Sequence, residues 1–201
     1  MALSYTPAEA LARGFLETEA SSSLAESVRI IPIDDRGATA GPIRIGRNVI
    51  VRDGCILCSG VSVGDNTVIG NNSVIRSGVH IGQDCVLSHL VCVEGLAFLD
   101  DRVRVAALTH LTGGCVLEPD VRIGARVAAV TDHSLPWHPG PQPEGRPPIF
   151  RNACRIGSGS TILGDVEIGA HTVVAAGSLV TRSLPPGVVA YGVPASIQRD
   201  S

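Results

Sequence analysis

The sequence predicts an all-β solenoid of short strands stacked in parallel, a parallel β-helix, and three observations carry that prediction. From Ile45 every sixth residue is a branched aliphatic: Val51, Leu57, Val63, Ile69, Ile75, Ile81, Leu87, Val93, Leu99, Val105, Leu111, Leu117 and Ile123. Four residues beyond each stands a smaller one, from Val49, Cys55 and Val61 through Cys115, Val121 and Val127. After an interruption the same frame returns at Phe150, Ile156, Ile162, Ile168, Val174 and Val180. A period held over this length marks a repeat architecture. Six residues accommodate one short strand and a corner, with alternate side chains turned inward. A helix would rotate successive aliphatics by about 240° and spread them over every face.

Ahead of the repeat, Thr6-Pro7-Ala8-Glu9 combines a Thr cap, Pro at the first helical position and Glu at the capping-box position, so a helix is expected through about Glu19. Ser21, Ser22 and Ser23 loosen it, and Val28-Arg29-Ile30-Ile31 reads as a short strand. Residues 1–40 are expected to cap the open end of the solenoid, which otherwise exposes unpaired strand edges; an acceptor-binding lid is the functional alternative. The solenoid proper covers 41–195, with 196–201 a short tail. Within it, 130–149 is dense in proline and carries Trp137, His133 and His138. Proline cannot donate to a ladder, so this stretch reads as a loop ejected from one corner.

Composition narrows the function. With 201 residues and 44% apolar content the chain is one domain-sized object with a continuous core. Aromatics at 3% suit a narrow prism that admits few rings. A net charge of −3, with every basic residue an Arg and none clustered in a run, excludes a nucleic-acid signature. No apolar run is long enough for a membrane span and no basic-then-apolar start marks a secretory signal, so a cytoplasmic location is expected. Of six cysteines, Cys55, Cys85, Cys115 and Cys154 fall on the small inward position, where a thiol behaves as a small hydrophobe. Cys58 and Cys92 lie elsewhere, and Cys55-x-x-Cys58 has no second pair at zinc-like spacing, so reduced structural thiols are expected.

The aliphatic-Gly pattern at Ile45-Gly46, Val63-Gly64, Ile69-Gly70, Ile81-Gly82, Ile123-Gly124, Ile156-Gly157 and Ile168-Gly169 resembles the hexapeptide-repeat acyltransferases. So does the closing run Thr181-Arg182-Ser183-Leu184-Pro185-Pro186 with Gly192-Val193-Pro194-Ala195. The resemblance implies three hexads per triangular coil, a left-handed superhelix and a homotrimer. Fifteen hexads from Ile45 to Ala129 then make five coils and six from Phe150 make two more, about seven in all and roughly 30 Å long at the strand spacing.

It also implies chemistry: transfer of an acetyl group from acetyl-CoA, with no metal expected. Such a transfer needs a base near neutral pH and a donor for the developing oxyanion. His133 resembles the catalytic His at the root of the family's loop, with Asp132 orienting it; the competing readings are a loop cap and an exposed turn residue. His138 and His110 are the further candidates, placed with Trp137 on the acceptor side, where Trp137 stacks on a sugar or anchors the loop on a neighbouring subunit. His80, His89 and His171 read as surface residues. Gly157-Ser158-Gly159 resembles the family's stretch after the loop, where Ser158 or a backbone amide approaches the thioester carbonyl; alternatively the glycine only makes the corner. Ala175-Ala176-Gly177-Ser178 resembles the stretch along which the pantetheine arm lies, so Ala176 and Gly177 are assigned to acetyl-CoA. Arg182, where the family often has Lys, is assigned to its phosphates.

Pro148 to Gly157 most resembles the nucleotide-sugar N-acetyltransferase branch, which implies an amino sugar, free or nucleotide-linked, as acceptor. O-acetylation of a saccharide or other small hydroxyl is the alternative, and a scaffold without activity is a third reading. A γ-type carbonic anhydrase would use His133 and His138 with a third His eighteen or thirty-six residues upstream, where this chain has Cys115 and Ala97.

Overall fold

The structure, a computed structural model, describes residues 4–33, 40–131 and 145–201. Three parallel sheets form the walls of a triangular prism, and consecutive strands of the chain fall on consecutive walls. Face one begins with β1 (Leu16–Thr18), face two with β2 (Ser23–Leu24) and face three with β3 (Arg29–Ile31). Each later coil repeats the circuit, over 43–58, 62–75, 80–93, 98–111, 116–129, 149–162 and 167–180. Partners in register are eighteen residues apart, as in Val86↔Val68 and Leu87↔Ile69, so the hexad is one wall and three hexads are one turn.

The inward aliphatics make one core: Leu57, Ile69, Ile75, Ile81, Leu87, Leu99, Leu111, Leu117 and Ile162 are fully buried. The fourth position faces inward at the corner, and its small polar residues join coils. The Thr67 hydroxyl donates to the carbonyl of Gly82 at 2.9 Å and accepts from the amide of Cys85 at 3.0 Å. Ser73, Thr109 and Ser160 repeat the pattern, bonding a carbonyl one coil on. A buried hydroxyl is tolerated because both of its capacities are used.

The two glycine-related features of each corner have different causes. The residue after the aliphatic is often Gly because the next coil passes close by: a Cβ on Gly64 would lie 2.6 Å from the amide nitrogen of Gln83. Two positions further on the backbone is left-handed, and this site accepts Asn48, Asp84, Arg102 and even Leu90, Leu96 and Leu108 at φ 58°, 62° and 63°. All three leucines are exposed, Leu96 at 76%.

The front of the chain differs from expectation in two respects. The helix opens at the capping box, with Glu9 Oε2 accepting from the Thr6 amide at 2.9 Å, but spans only Pro7–Ala12. Gly14 turns left-handed at φ 73° and the chain enters β1. Residues 16–31 then form a coil of their own, ahead of the seven counted from the hexads, through Thr18↔Ile45, Leu24↔Val51 and Ile30↔Leu57. At the other end Val188–Gly192 runs parallel to Val173–Val174, and Ala195–Asp200 folds back antiparallel upon it. All six cysteines are free, and burial pushes the Cys115 and Cys154 thiols up to about 12.

Candidate functional site

Two corners concentrate the residues singled out from the sequence. At the corner between faces two and three, Gly124-Ala125-Arg126, Gly157-Ser158-Gly159 and Ala175-Ala176-Gly177 stack one above another in coils six, seven and eight. The approach is close: a Cβ on Gly157 would stand 2.2 Å from the amide nitrogen of Ala176. The amide of Gly177 donates to the carbonyl of Ser158 at 2.9 Å, and the amide of Gly159 to that of Ala125 at 2.8 Å. Ser158 Oγ accepts from the Ala125 amide at 3.1 Å.

At several other corners the amide of the residue after Gly is taken by a side chain one coil on, though those of Asp65 and Ala170 have no such partner among the described residues. The Arg47 amide donates to Asp65 Oδ1 at 2.8 Å, and that of Gln83 to Asp101 Oδ1 at 2.9 Å. One coil beyond Ser158 stands Ala176, which has no acceptor. The Ser158 amide and hydroxyl therefore donate to no group among the described residues. Beside them Gly159 and Gly177, left-handed at φ 72° and 70°, have open space where a Cβ would be. Chemically this is a shallow, small-residue trough with unused donors, the arrangement an acyl oxyanion and a thin unbranched chain require.

The second corner lies between faces three and one. The chain leaves it after Thr131 and re-enters through Gly145 and Arg146, and both ends rest on Gly164, whose missing Cβ would lie 2.4 Å from the carbonyl of Thr131 and 3.0 Å from that of Arg146. Arg146 Nε meets Asp165 at 3.2 Å. Arg182 is exposed at the same corner one coil further on, and a cleft of about 230 Å³ lies between Arg146, Ile149, Glu167 and Ser183. Asp132, His133, Trp137 and His138 fall outside the described residues. Ser158, Ala176 and Gly177 thus come together, while Arg182 and the loop root share the other corner, across the width of face three.

His110 joins neither group. It lies half-buried on face three in coil five, in register with Cys92 of coil four, and is grouped with Cys92 and Glu94. His80 is also half-buried rather than free on the surface: its Nδ1 is 2.8 Å from Ser62 Oγ and its ring stacks on Phe98 at 4.6 Å. Ser62 and His80 stand at the edge of a cleft of about 560 Å³ near the N-terminal end, far from the trough. Cys115 and Ala97, the places where an anhydrase-type third ligand would stand, are wholly inside the prism.

Sequence reasoning missed the cluster that restores register after the loop. Arg151 bonds Glu118 Oε1 at 2.7 Å and both oxygens of Glu167 at 2.8 and 3.0 Å, tying coils six, seven and eight together. Glu118 Oε2 also accepts from the Asn152 amide at 2.8 Å. The hydrogen bonds from Arg151 hold the Glu167 carboxyl below the usual carboxylate range. The signal was available: Glu118 and Arg151 occupy the same hexad position, immediately after Leu117 and Phe150.

The walls, the eighteen-residue register and the corners define a left-handed parallel β-helix. A polySia-specific acetyltransferase, NeuO, shares this fold with a TM-score of 0.58 and 14% identity over 92% of this chain and 87% of its own. A UDP-N-acetylglucosamine acyltransferase shares it with a TM-score of 0.53 and 16% identity over 92% of this chain and 74% of its own. The bacterial transferase hexapeptide pattern of six repeats matches residues 42–77, 60–95 and 147–182, so the likeness in sequence runs through the same hexads that build the walls. A serine acetyltransferase of Buchnera aphidicola is 39% identical over 95 residues, 45% of this chain and 34% of that protein. That of Escherichia coli K12 is 44% identical over 52 residues, 26% of this chain and 19% of its own length. The chain thus spans about a third or less of the length of these curated relatives. Among the described residues no helix is long and apolar enough to cross a membrane.

Proposed function

We propose that the protein is an acyl-CoA-dependent acyltransferase that moves an acetyl group from acetyl-CoA to the amine of an amino sugar, free or nucleotide-linked. The observation that carries the reading is the open trough at the two–three corner, where Ser158 offers an unused amide and hydroxyl beside Ala176 and Gly177. The pantetheine arm lies along Ala175, Ala176 and Gly177, and the thioester oxygen faces Ser158. The acceptor nitrogen attacks the thioester carbon, His133 takes its proton with Asp132 orienting the ring, the oxyanion is held by the Ser158 donors, and the carbonyl re-forms as the CoA thiolate leaves and takes that proton from His133 to become the thiol. Arg182 binds phosphate. In one chain the loop root and the trough stand at different corners, so a neighbouring subunit of a homotrimer brings its loop, with His133, Trp137 and His138, to the trough. A cytoplasmic location agrees with this donor.

A second reading, O-acetylation of a small hydroxyl, is favoured by the serine acetyltransferases among the relatives. Calorimetric titration with acetyl-CoA tests the class, and thiol release against amino sugars, nucleotide sugars and serine distinguishes the two readings. Micromolar binding is expected, with turnover reduced about 10²- to 10⁴-fold in His133→Ala. A protein that binds no acetyl-CoA would overturn the proposal.

A further inference from the structure

Cys92, Glu94 and His110 stand together on face three, and no step proposed above uses Cys92 or Glu94. Their ligand atoms, one thiol sulfur, one carboxylate oxygen and one imidazole nitrogen, all lie within 4.8 Å of one another, and each residue is half-buried. The strand register builds the group. Cys92 pairs directly with His110 in the next coil, so both side chains leave the same wall one strand spacing apart, and Glu94 follows two residues after Cys92 where the chain turns the corner.

Two contacts orient the Glu94 carboxylate. Glu94 has one oxygen 3.7 Å from the Cys92 sulfur, and its other oxygen is 3.8 Å from an Arg76 nitrogen. Arg76 therefore holds the far oxygen and leaves the near one for the cluster, the part an outer partner plays in orienting a ligating carboxylate. Cys58, more deeply buried two coils away on the same wall, has its thiol raised first by burial and then by the nearby Cys92 and Glu94, but it is not one of the three grouped donors.

We infer that Cys92, Glu94 and His110 form a binding site for a divalent transition-metal ion of borderline softness, Zn²⁺ foremost, separate from the trough at Ser158. One sulfur, one imidazole nitrogen and one carboxylate oxygen are three of the donors zinc takes in tetrahedral geometry. Half-burial leaves the fourth position to water. Donor atoms within 4.8 Å of one another close around an ion at about 2.0–2.3 Å by small rotamer adjustments. On binding, the Cys92 S–H bond breaks, the thiolate becomes the ligand, and the proton leaves to solvent.

The site goes beyond the acyltransferase reading and does not depend on it. The full chain, reduced and freed of metal by chelation, is titrated with Co²⁺ alone while its absorption spectrum is recorded. The expected result is a thiolate-to-cobalt charge-transfer band that saturates at one ion per chain and disappears when Zn²⁺ is added. The band is absent in Cys92→Ser, retained in Cys58→Ser, and requires about tenfold or more Co²⁺ in His110→Gln and Glu94→Gln. Circular dichroism confirms that each variant folds; a variant that does not is replaced by Cys92→Ala or His110→Ala. No band in the parent protein, a band that survives in Cys92→Ser, or one lost in Cys58→Ser overturns the assignment. Acetyl-CoA binding is read separately by calorimetry, so failure of either reading leaves the other standing.

Discussion

Gly157 and Gly159 stand two apart at the open corner and are glycine for different reasons. Gly157 has no room for a Cβ, which would press on the backbone of Ala176, whereas Gly159 has room but a left-handed backbone. Gly157→Ala is expected to destabilise by about 1–3 kcal/mol, as overpacking does, and Gly159→Ala by about 1 kcal/mol from backbone strain. Urea unfolding of the two variants measures both. The exposed leucines test the same strain from the other side. Leu96→Asn puts a residue that tolerates the left-handed region at a site 76% exposed, and is expected to raise the unfolding free energy by up to about 1 kcal/mol, read as a higher urea midpoint. At this scale the inward aliphatics and the Gly after them were legible, because a fixed spacing exposes them. The left-handed positions were legible only in part: Gly54, Asn66 and Asp84 are residues that favour this backbone, but Leu90, Arg102 and Ala153 at the same corner position are not.

The strands carry their own conflict and their own repair. On face two Arg104, Arg122 and Arg155 stack in direct register, and none forms an ion pair among the described residues. Like charges directly opposed in a sheet are unfavourable, so Arg122→Glu is expected to stabilise the prism by about 0.2–1 kcal/mol at low salt. The gain should shrink as ionic strength rises, which unfolding at two salt concentrations reads. The Glu118–Arg151–Glu167 bridge does the opposite. Because the folded carboxyl of Glu167 titrates below its unfolded value, its contribution is present above the unfolded carboxylate range near pH ~4.3 and is lost as pH falls through the folded value. Glu167→Gln should therefore lose less stability than the parent between about pH 6 and about pH 3. The first coil shows why an element escaped notice. Thr18, Leu24 and Ile30 keep the six-residue step, with Ser22 and Val28 at the fourth places, but Thr18 is not aliphatic and the next inward residue, Ile45, comes late.

For the whole molecule, one core and six free thiols make chemical access a measure of integrity. Cys92 alone is half-buried, and the other five are buried. Burial raises the Cys58 and Cys85 thiols to about 11 and those of Cys115 and Cys154 to about 12. After chelation, a thiol reagent is expected to label one cysteine promptly in the native protein and all six once it is unfolded; rapid labelling of several would contradict a closed prism. The prism itself could be read from spacing, since period six excludes helix and fits strand and corner. Its handedness and the expectation of a trimer came only from family resemblance, because spacing carries no chirality. The trough was half legible: its small residues stood out, but the unused Ser158 donors depend on Ala176 lying one coil away, which only the register reveals.

Both departures from the period occur at the same edge, between faces three and one, where the chain leaves after Ile31 and again after Thr131 and resumes the frame each time. Closing a longer excursion costs little, about 0.6 kcal/mol for each doubling of its length. The wall beneath keeps its alignment whatever the excursion contains. Such a scaffold separates inheritance into two tracks: hexads that tolerate only like-for-like exchange, and an edge segment free to change in length and content between lineages. Under the proposed function, new acceptors can then be acquired by rewriting the segment that carries His133 and Trp137 while the wall with Ser158, Ala176 and Gly177 stays as it is.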